Sequence, residues 1–163
     1  MCGIVGYVGD KDANVVLLDG LKRLEYRGYD SCGIATISNE QLHTFKTINR
    51  IDSLVSCTQN AEVANIGIGH TRWATHGGVC EKNAHPHIDN SNRFVVVHNG
   101  IIENYIELKK FLKDNGYEFY SETDTEVIPN LISMNFEGDL LKAVKKTTDM
   151  LERKLCFRCA GSR

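Results

Sequence analysis

Proline is almost absent from this chain, with two residues in 163, and no internal repeat or low-complexity stretch interrupts it. A linker between domains is thereby excluded, and one domain is the default for this length. An excess of positive charge is missing too: 19 Lys and Arg stand against 21 Asp and Glu, a formal net charge of -2. A nucleic-acid surface needs a basic excess or stripe, and neither is present. No apolar run approaches the ~20 residues that span a bilayer, and no charged leader precedes an apolar core. The expectation is a soluble, cytoplasmic protein with no membrane or nucleic-acid partner. Cysteine is not scarce, but a disulfide framework is. Cys2, Cys32, Cys57, Cys80, Cys156 and Cys159 follow no paired spacing, so reduced thiols are expected.

What is present is an alternation of short apolar runs and amphipathic stretches. Ile4 to Val8 reads as a buried strand, and Leu17, Leu18, Leu21 and Leu24 give helical spacing between Asp12 and Tyr26. Strands are predicted over 33–37, 42–48, 65–69 and 94–97, with a short helix over 52–60. Tyr105, Leu108 and Leu112 mark a helix stopped by Gly116, after which residues 117–120 should return as a strand. Thr123 and Glu126 have capping-box spacing, which would place Asp124 in a first helical turn. Pro129 then demands either a kink or a later start. Leu141, Val144, Thr148 and Leu151 give a last helix, and Leu155 to Phe157 begins another strand.

Cys2 is the position with most chemistry in it. If Met1 is removed, a thiol and a free amine share one residue, and an α-amine with a pKa of about 7.7 to 8.0 is already partly unprotonated at pH 7. Such an amine can serve the thiol as a general base. Position alone is equally met by an ordinary second residue. The strand that follows, however, would hold the terminus still enough for catalysis.

Three loops carry reactive groups: 27–31, 70–77 and 99–100. Asn99-Gly100 reads as a turn or, beside a nucleophile, as an oxyanion hole built from an amide donor and an approachable backbone. Arg72 offers a planar fork for a carboxylate, or a surface ion pair. Asp124 suits an ammonium group, or the start of a helix. Together they describe a site for an amino acid with a side-chain carbonyl, which glutamine fits. His70, His76, His85, His87 and His98 raise a metal alternative. Their spacing is poor for zinc, and neither a metal nor another cofactor is called for.

The wording of these segments, CGIVG at 2–6, LEYRGYDS at 24–31, HTRWATHG at 70–77, NAHPH at 83–87, VVVHNGIIEN at 95–104 and SETDTEVI at 121–128, resembles one family closely. It is that of the glutaminase (class II glutamine amidotransferase) domain of the glutamine-fructose-6-phosphate aminotransferases (isomerizing). The resemblance runs from residue 2 to about 150, and YRGYDS and TRWATHG separate it from other class II amidotransferases. It implies an α+β, α-β-β-α sandwich of the N-terminal nucleophile hydrolase type. Cys2 would attack the glutamine amide, with its own amine shuttling the proton to ammonia. Asn99 and Gly100 would form the oxyanion hole. Arg72, Thr75 and His76 would surround the α-carboxylate. Asp124 and the Gly100 carbonyl would take the α-amino group, and Trp73 would lie in a closing loop. Arg27 and Gly28 would stand near the nucleophile.

Two departures from the family pattern stand out. Cys32 replaces a usual alanine and could bring a further thiol to the site. The chain also stops early, so residues 1–152 read as a partial domain, 153–163 as an atypical tail, and the sandwich as incomplete on its C-terminal side. The sugar-isomerase domains are absent, and with them any fructose 6-phosphate partner; oligomerisation stays open. A frame-shifted or prematurely ended product would explain the tail. Three readings follow: a glutaminase yielding glutamate and ammonia, an inactive or partner-bound fragment, or the glutaminase part of another class II amidotransferase.

Overall fold

A computed structural model describes residues 2–74, 77–152 and 156–161. Among these residues seven strands and five α-helices follow one another: β1 (Gly3–Val8), α1 (Ala13–Leu24), β2 (Ser31–Ser38), β3 (Gln41–Thr47), α2 (Ile51–Cys57), β4 (Ile66–Arg72), β5 (His87–Ile88), β6 (Phe94–Asn99), α3 (Tyr105–Asp114), α4 (Val127–Asn135), α5 (Leu140–Met150) and β7 (Cys156–Gly161). They form two antiparallel sheets, one ordered β1-β4-β2-β3 and the other β5-β6-β7.

Strand alternation sorts the apolar residues into three layers. Cys32 and Ile34 of β2 pack with Leu17, Leu18 and Leu21 of α1 and with Ile51 and Leu54 of α2. Ala35 and Ile68 from the opposite face of that sheet meet Val95 and Val97 of the second sheet. Phe94 and Val96, whose side chains alternate with these, join Leu108 and Leu112 of α3, Leu131 of α4 and Ala143 of α5. The order is helix, sheet, sheet, helix, as the family resemblance implies. No helix among the described residues is long and apolar enough to cross a membrane.

Most elements fall where the sequence places them. Asp12 caps α1 by accepting from Asn14 N at 3.1 Å, and a 3-10 turn at Glu25–Arg27 ends it. Strand β7 forms antiparallel to β6, pairing Val95 with Ala160 and Val97 with Arg158. Leu155, where that strand was expected to begin, lies outside the described residues.

Two expectations fail. Residues 117–120 form no strand, because side chains take the backbone groups that a neighbouring strand would have paired. Asn90 Oδ1 accepts from Glu118 N at 2.7 Å and Asn90 Nδ2 donates to Glu118 O at 3.0 Å. The capping box does not form either. Glu126 is the N-cap of α4, and its carboxylate accepts from Tyr120 N (2.9 Å), Ser121 N (2.8 Å) and Ser121 Oγ (2.6 Å) instead of from Thr123. Asp124 therefore precedes the helix, where its side chain is free of capping duty. Pro129 sits in the first turn of α4, where a missing N-H costs no intrahelical bond, so the later start is what occurs and the helix needs no kink there.

Candidate active site

A cleft of about 410 Å³ opens at one end of the two sheets, where β4 and β6 both terminate. Alternation determines what reaches it. Gly3 pairs with Thr71 and donates its N-H to Thr71 Oγ1 at 3.1 Å, on the side facing Leu24 and the helices. Cys2, one residue earlier, falls on the opposite side with Ile4, toward the second sheet. His70 and Arg72 share that side with Ile68, and Asn99 of β6 shares the facing side with Val95 and Val97. Cys2, His70, Arg72 and Asn99 thus converge on the cleft.

The Cys2 thiol is held by backbone. Trp73 N donates to Sγ at 3.2 Å, and the thiol lies 3.7 Å from Trp73 O. Trp73, just beyond β4, is half exposed, and its ring packs over Gly28. Gly28 has φ +73°, and a Cβ there would stand 3.0 Å from the Trp73 ring, so both conformation and space favour glycine. Arg27 lines the same wall.

Opposite the thiol, Asn99 ends β6 and Gly100 leaves it with φ +145°, outside the range of a side-chain-bearing residue. Asn99 Oδ1 lies 2.8 Å from His70 Nε2. Beyond Gly100, Asp124 is buried and accepts Ile102 N at 2.8 Å through Oδ2, with Thr125 Oγ1 at 3.3 Å from Oδ1. Arg72 is buried too. Its Nη1 lies 3.9 Å from Asp30 Oδ1 and its Nη2 donates to Gly77 O at 3.5 Å. Asp30 also accepts from Ala74 N and, at 2.9 Å, from Ser31 Oγ, so it ties the start of the loop after β4 to the start of β2. A cation and a carboxylate thus line the pocket with the thiol, an arrangement suited to a zwitterion with an electrophilic side chain.

Of the expected site residues, Cys2, Arg27, Arg72, Trp73, Asn99, Gly100 and Asp124 all line the cleft, and Gly28 supports it through Trp73. Thr75 and His76 lie outside the described residues. Cys32 is a correction. It pairs with Thr71 on the helix-facing side of β2, its thiol is buried near Asn49 O, and burial, with the charge of Glu25, pushes its pKa up to about 12. It brings no thiol to the site.

Apart from His76, the histidines enter the sequence reading only as a metal alternative. Among the described residues no three metal-ligating side chains gather in a ligand arrangement. Instead His70 stacks on His85 at 4.2 Å, His85 meets His87 edge-on at 4.7 Å, and His98 contacts Thr125 Oγ1 at 3.1 Å. Burial pulls the pKa of His70 down to about 4 and those of His85 and His87 well below the ordinary value; it lowers that of His98 as well. The back of the cleft is uncharged imidazole. His70 and Asp30 were the positions that sequence reasoning passed over. Both lie in segments it singled out, but only the register shows what they touch.

Known proteins share the sequence and the fold of this chain. The model of the glutamine amidotransferase domain family matches residues 32–144. The glutamine–fructose-6-phosphate aminotransferase [isomerizing] of Clostridium acetobutylicum is 54% identical over 164 residues, covering all of this chain and 27% of that protein. That of Aquifex aeolicus is 54% identical over 158 residues, covering 96% and 27%. The chain spans about a quarter of the length of these relatives. Among solved structures, the glutamine phosphoribosylpyrophosphate amidotransferase of Bacillus subtilis, complexed with ADP and GMP, superposes with a TM-score of 0.82 at 26% identity, covering 99% of this chain and 35% of that one. Layer order, the convergence of thiol and amide at one sheet end, and the matched residues agree: the chain belongs to the glutamine amidotransferase domain family, in the N-terminal nucleophile fold.

Proposed function

We propose that this chain hydrolyses the side-chain amide of glutamine, as the ammonia-producing part of an enzyme that forms glucosamine 6-phosphate from fructose 6-phosphate. The observation that carries the reading is the Cys2 thiol, 3.2 Å from Trp73 N, in one cleft with Asn99, Gly100, Arg72 and Asp124. With Met1 removed, the Cys2 amine takes the thiol proton as sulfur attacks the amide carbon. The carbonyl oxygen becomes an oxyanion, met by Asn99 Nδ2 and the Gly100 N-H, donors of a kind worth about 3 kcal/mol each in the transition state. Collapse expels ammonia carrying the proton from the amine and leaves a thioester on Cys2. Water then adds to the thioester, and glutamate departs as the thiol reforms.

Arg72, with Thr75 and His76, takes the substrate α-carboxylate, while Asp124 and the Gly100 carbonyl take the α-ammonium. Trp73 closes over the bound amino acid, and Arg27 and Gly28 shape the wall beside the nucleophile. No cofactor takes part. The relatives named for the sugar-phosphate reaction are roughly four times as long as this chain. Transfer of ammonia to the sugar is therefore assigned to parts of such a protein beyond the aligned segment. Reduced thiols at five described cysteines support a cytoplasmic setting.

The test is glutamine hydrolysis by the purified chain, with intact mass on the same sample after treatment with a glutamine-analogue electrophile. Turnover, loss of Met1 and one adduct on Cys2 are expected, and Cys2→Ser should abolish both turnover and adduct. Hydrolysis that survives Cys2→Ser would overturn the assignment.

A further inference from the structure

Asn99 can serve an oxyanion only if its amide is the right way round. An Asn side chain has a donor end and an acceptor end, and a half-turn about its last bond exchanges them. With Oδ1 pointing into the cleft, the group would repel the charge it is meant to hold. Something must select one orientation, and the backbone of β6 does not reach the amide.

His70 does reach it. Its Nε2 stands 2.8 Å from Asn99 Oδ1, while its Nδ1 is buried with no hydrogen-bond partner. A neutral imidazole carries one proton. Placed on Nδ1, that proton would be buried and unbonded; placed on Nε2, it is donated to Asn99. The His98 backbone carbonyl lies close enough to favour a proton on this ring, but no hydrogen bond of ordinary geometry joins it to Nδ1, so Asn99 Oδ1 is the better acceptor. The ring itself is clamped, stacked on His85 at 4.2 Å and 18° between planes. His85 is held in turn, its Nδ1 accepting from His98 N at 3.3 Å. His98 and Asn99 are neighbours on β6, so the strand that presents the amide also anchors the stack that orients it. Asn99 Nδ2, with Oδ1 engaged, has no partner among the described residues and is left to the cleft.

We infer that His70, as the Nε2-H tautomer, is a positioning residue that locks the Asn99 amide with its donor end toward the substrate carbonyl. This rests on the glutamine-hydrolysing reading for its kinetic consequence, but not for its geometry. It separates two roles on one strand: Arg72 for what the substrate is, His70 for how its transition state is received.

The experiment combines four variants with a spectrum. His70→Phe keeps the stacking ring and removes the donor. His70→Gln places an amide N-H near the position of Nε2. Asn99→Ala removes the group being oriented, and the double variant His70→Phe/Asn99→Ala closes the cycle. Loss of the amide donor should lower kcat by about 100-fold or more. His70→Phe should lower kcat by about 10- to 100-fold with KM for glutamine changed less than about threefold, because the contact is made in the transition state. His70→Gln should restore most of that loss. The double variant should be no slower than Asn99→Ala alone. A His70→Phe protein that melts normally and keeps full kcat would overturn the inference, as would a double variant in which the two losses multiply.

Independently of turnover, nitrogen-15 spectra of the unsubstituted chain should show His70 as the single Nε2-H tautomer. A single Nδ1-H form, or a mixture of the two, refutes the lock. If the chain hydrolyses no glutamine but His70 is the Nε2-H form, the proposed function fails while the positioning stands.

Discussion

Asp30 is one residue whose removal should be felt beyond its own contacts. It lies in YRGYDS, a segment that sequence reading marks as reactive, yet no spacing rule says that its carboxylate reaches Ala74 N across 44 residues and stands beside the buried Arg72. Asp30→Ala deprives a buried cation of its nearby carboxylate and frees the loop that carries Trp73. We expect a stability loss of about 2 kcal/mol, read by denaturant unfolding. We also expect a rise in KM for glutamine of about tenfold, because Arg72 loses its aim while the thiol stays in place just ahead of β1. An unchanged KM would mean that Arg72 is held by its other partners. Cys32 teaches the complementary lesson. Adjacent in sequence to a site segment, it is separated from the cleft by the alternation of β2, and only knowledge of which face looks at α1 could have said so.

At the scale of elements, periodicity located nearly everything that is regular and stumbled where side chains replace backbone. The leucines of α1 are legible because their burial follows the helical period, and the Phe94 to Val97 run because it is continuously apolar and buried on both faces. Residues 117–120 are not, since Asn90 supplies both halves of a strand-like pairing from 28 residues away. Asn90→Ala should therefore speed amide exchange at Glu118 and cost about 1 kcal/mol, with no other element disturbed. Unchanged exchange at Glu118 would show that the segment is held by Glu126 alone. The short β5 was likewise invisible, because two residues carry no period at all; its His87 matters through His85 rather than through pairing. Motifs name Cys2, Arg27, Arg72, Trp73, Asn99, Gly100 and Asp124, which the fold brings to one cleft, whereas the contacts that orient those residues depend on the β1-β4 and β2-β4 registers.

The molecule as a whole keeps four histidines uncharged between its sheets and beside the helices behind them, and this has a price in acid. His70 has a pKa of about 4 in the fold against an ordinary 6.5, because burial disfavours the imidazolium. Between those values the unfolded chain binds protons that the folded chain refuses, so stability is complete above about pH 6.5 and declines as pH falls toward 4. His70 alone removes about 3 kcal/mol by the lower end, and His85, His87 and His98 act in the same direction. Urea midpoints should thus drop markedly from pH 7.5 to pH 5, and less so for His70→Phe. Equal midpoints would mean that the histidines are not buried as neutral groups.

The chain contains one tryptophan, and it is Trp73. Its backbone N-H rests on the Cys2 sulfur and its ring stands half exposed at the mouth of the cleft. The protein therefore carries its own optical reporter: all indole emission comes from the residue whose backbone touches the Cys2 thiol. Acylation or alkylation of Cys2 changes the group held against the Trp73 backbone, so a stepwise change in emission should accompany each adduct in a stopped-flow trace, without any added label.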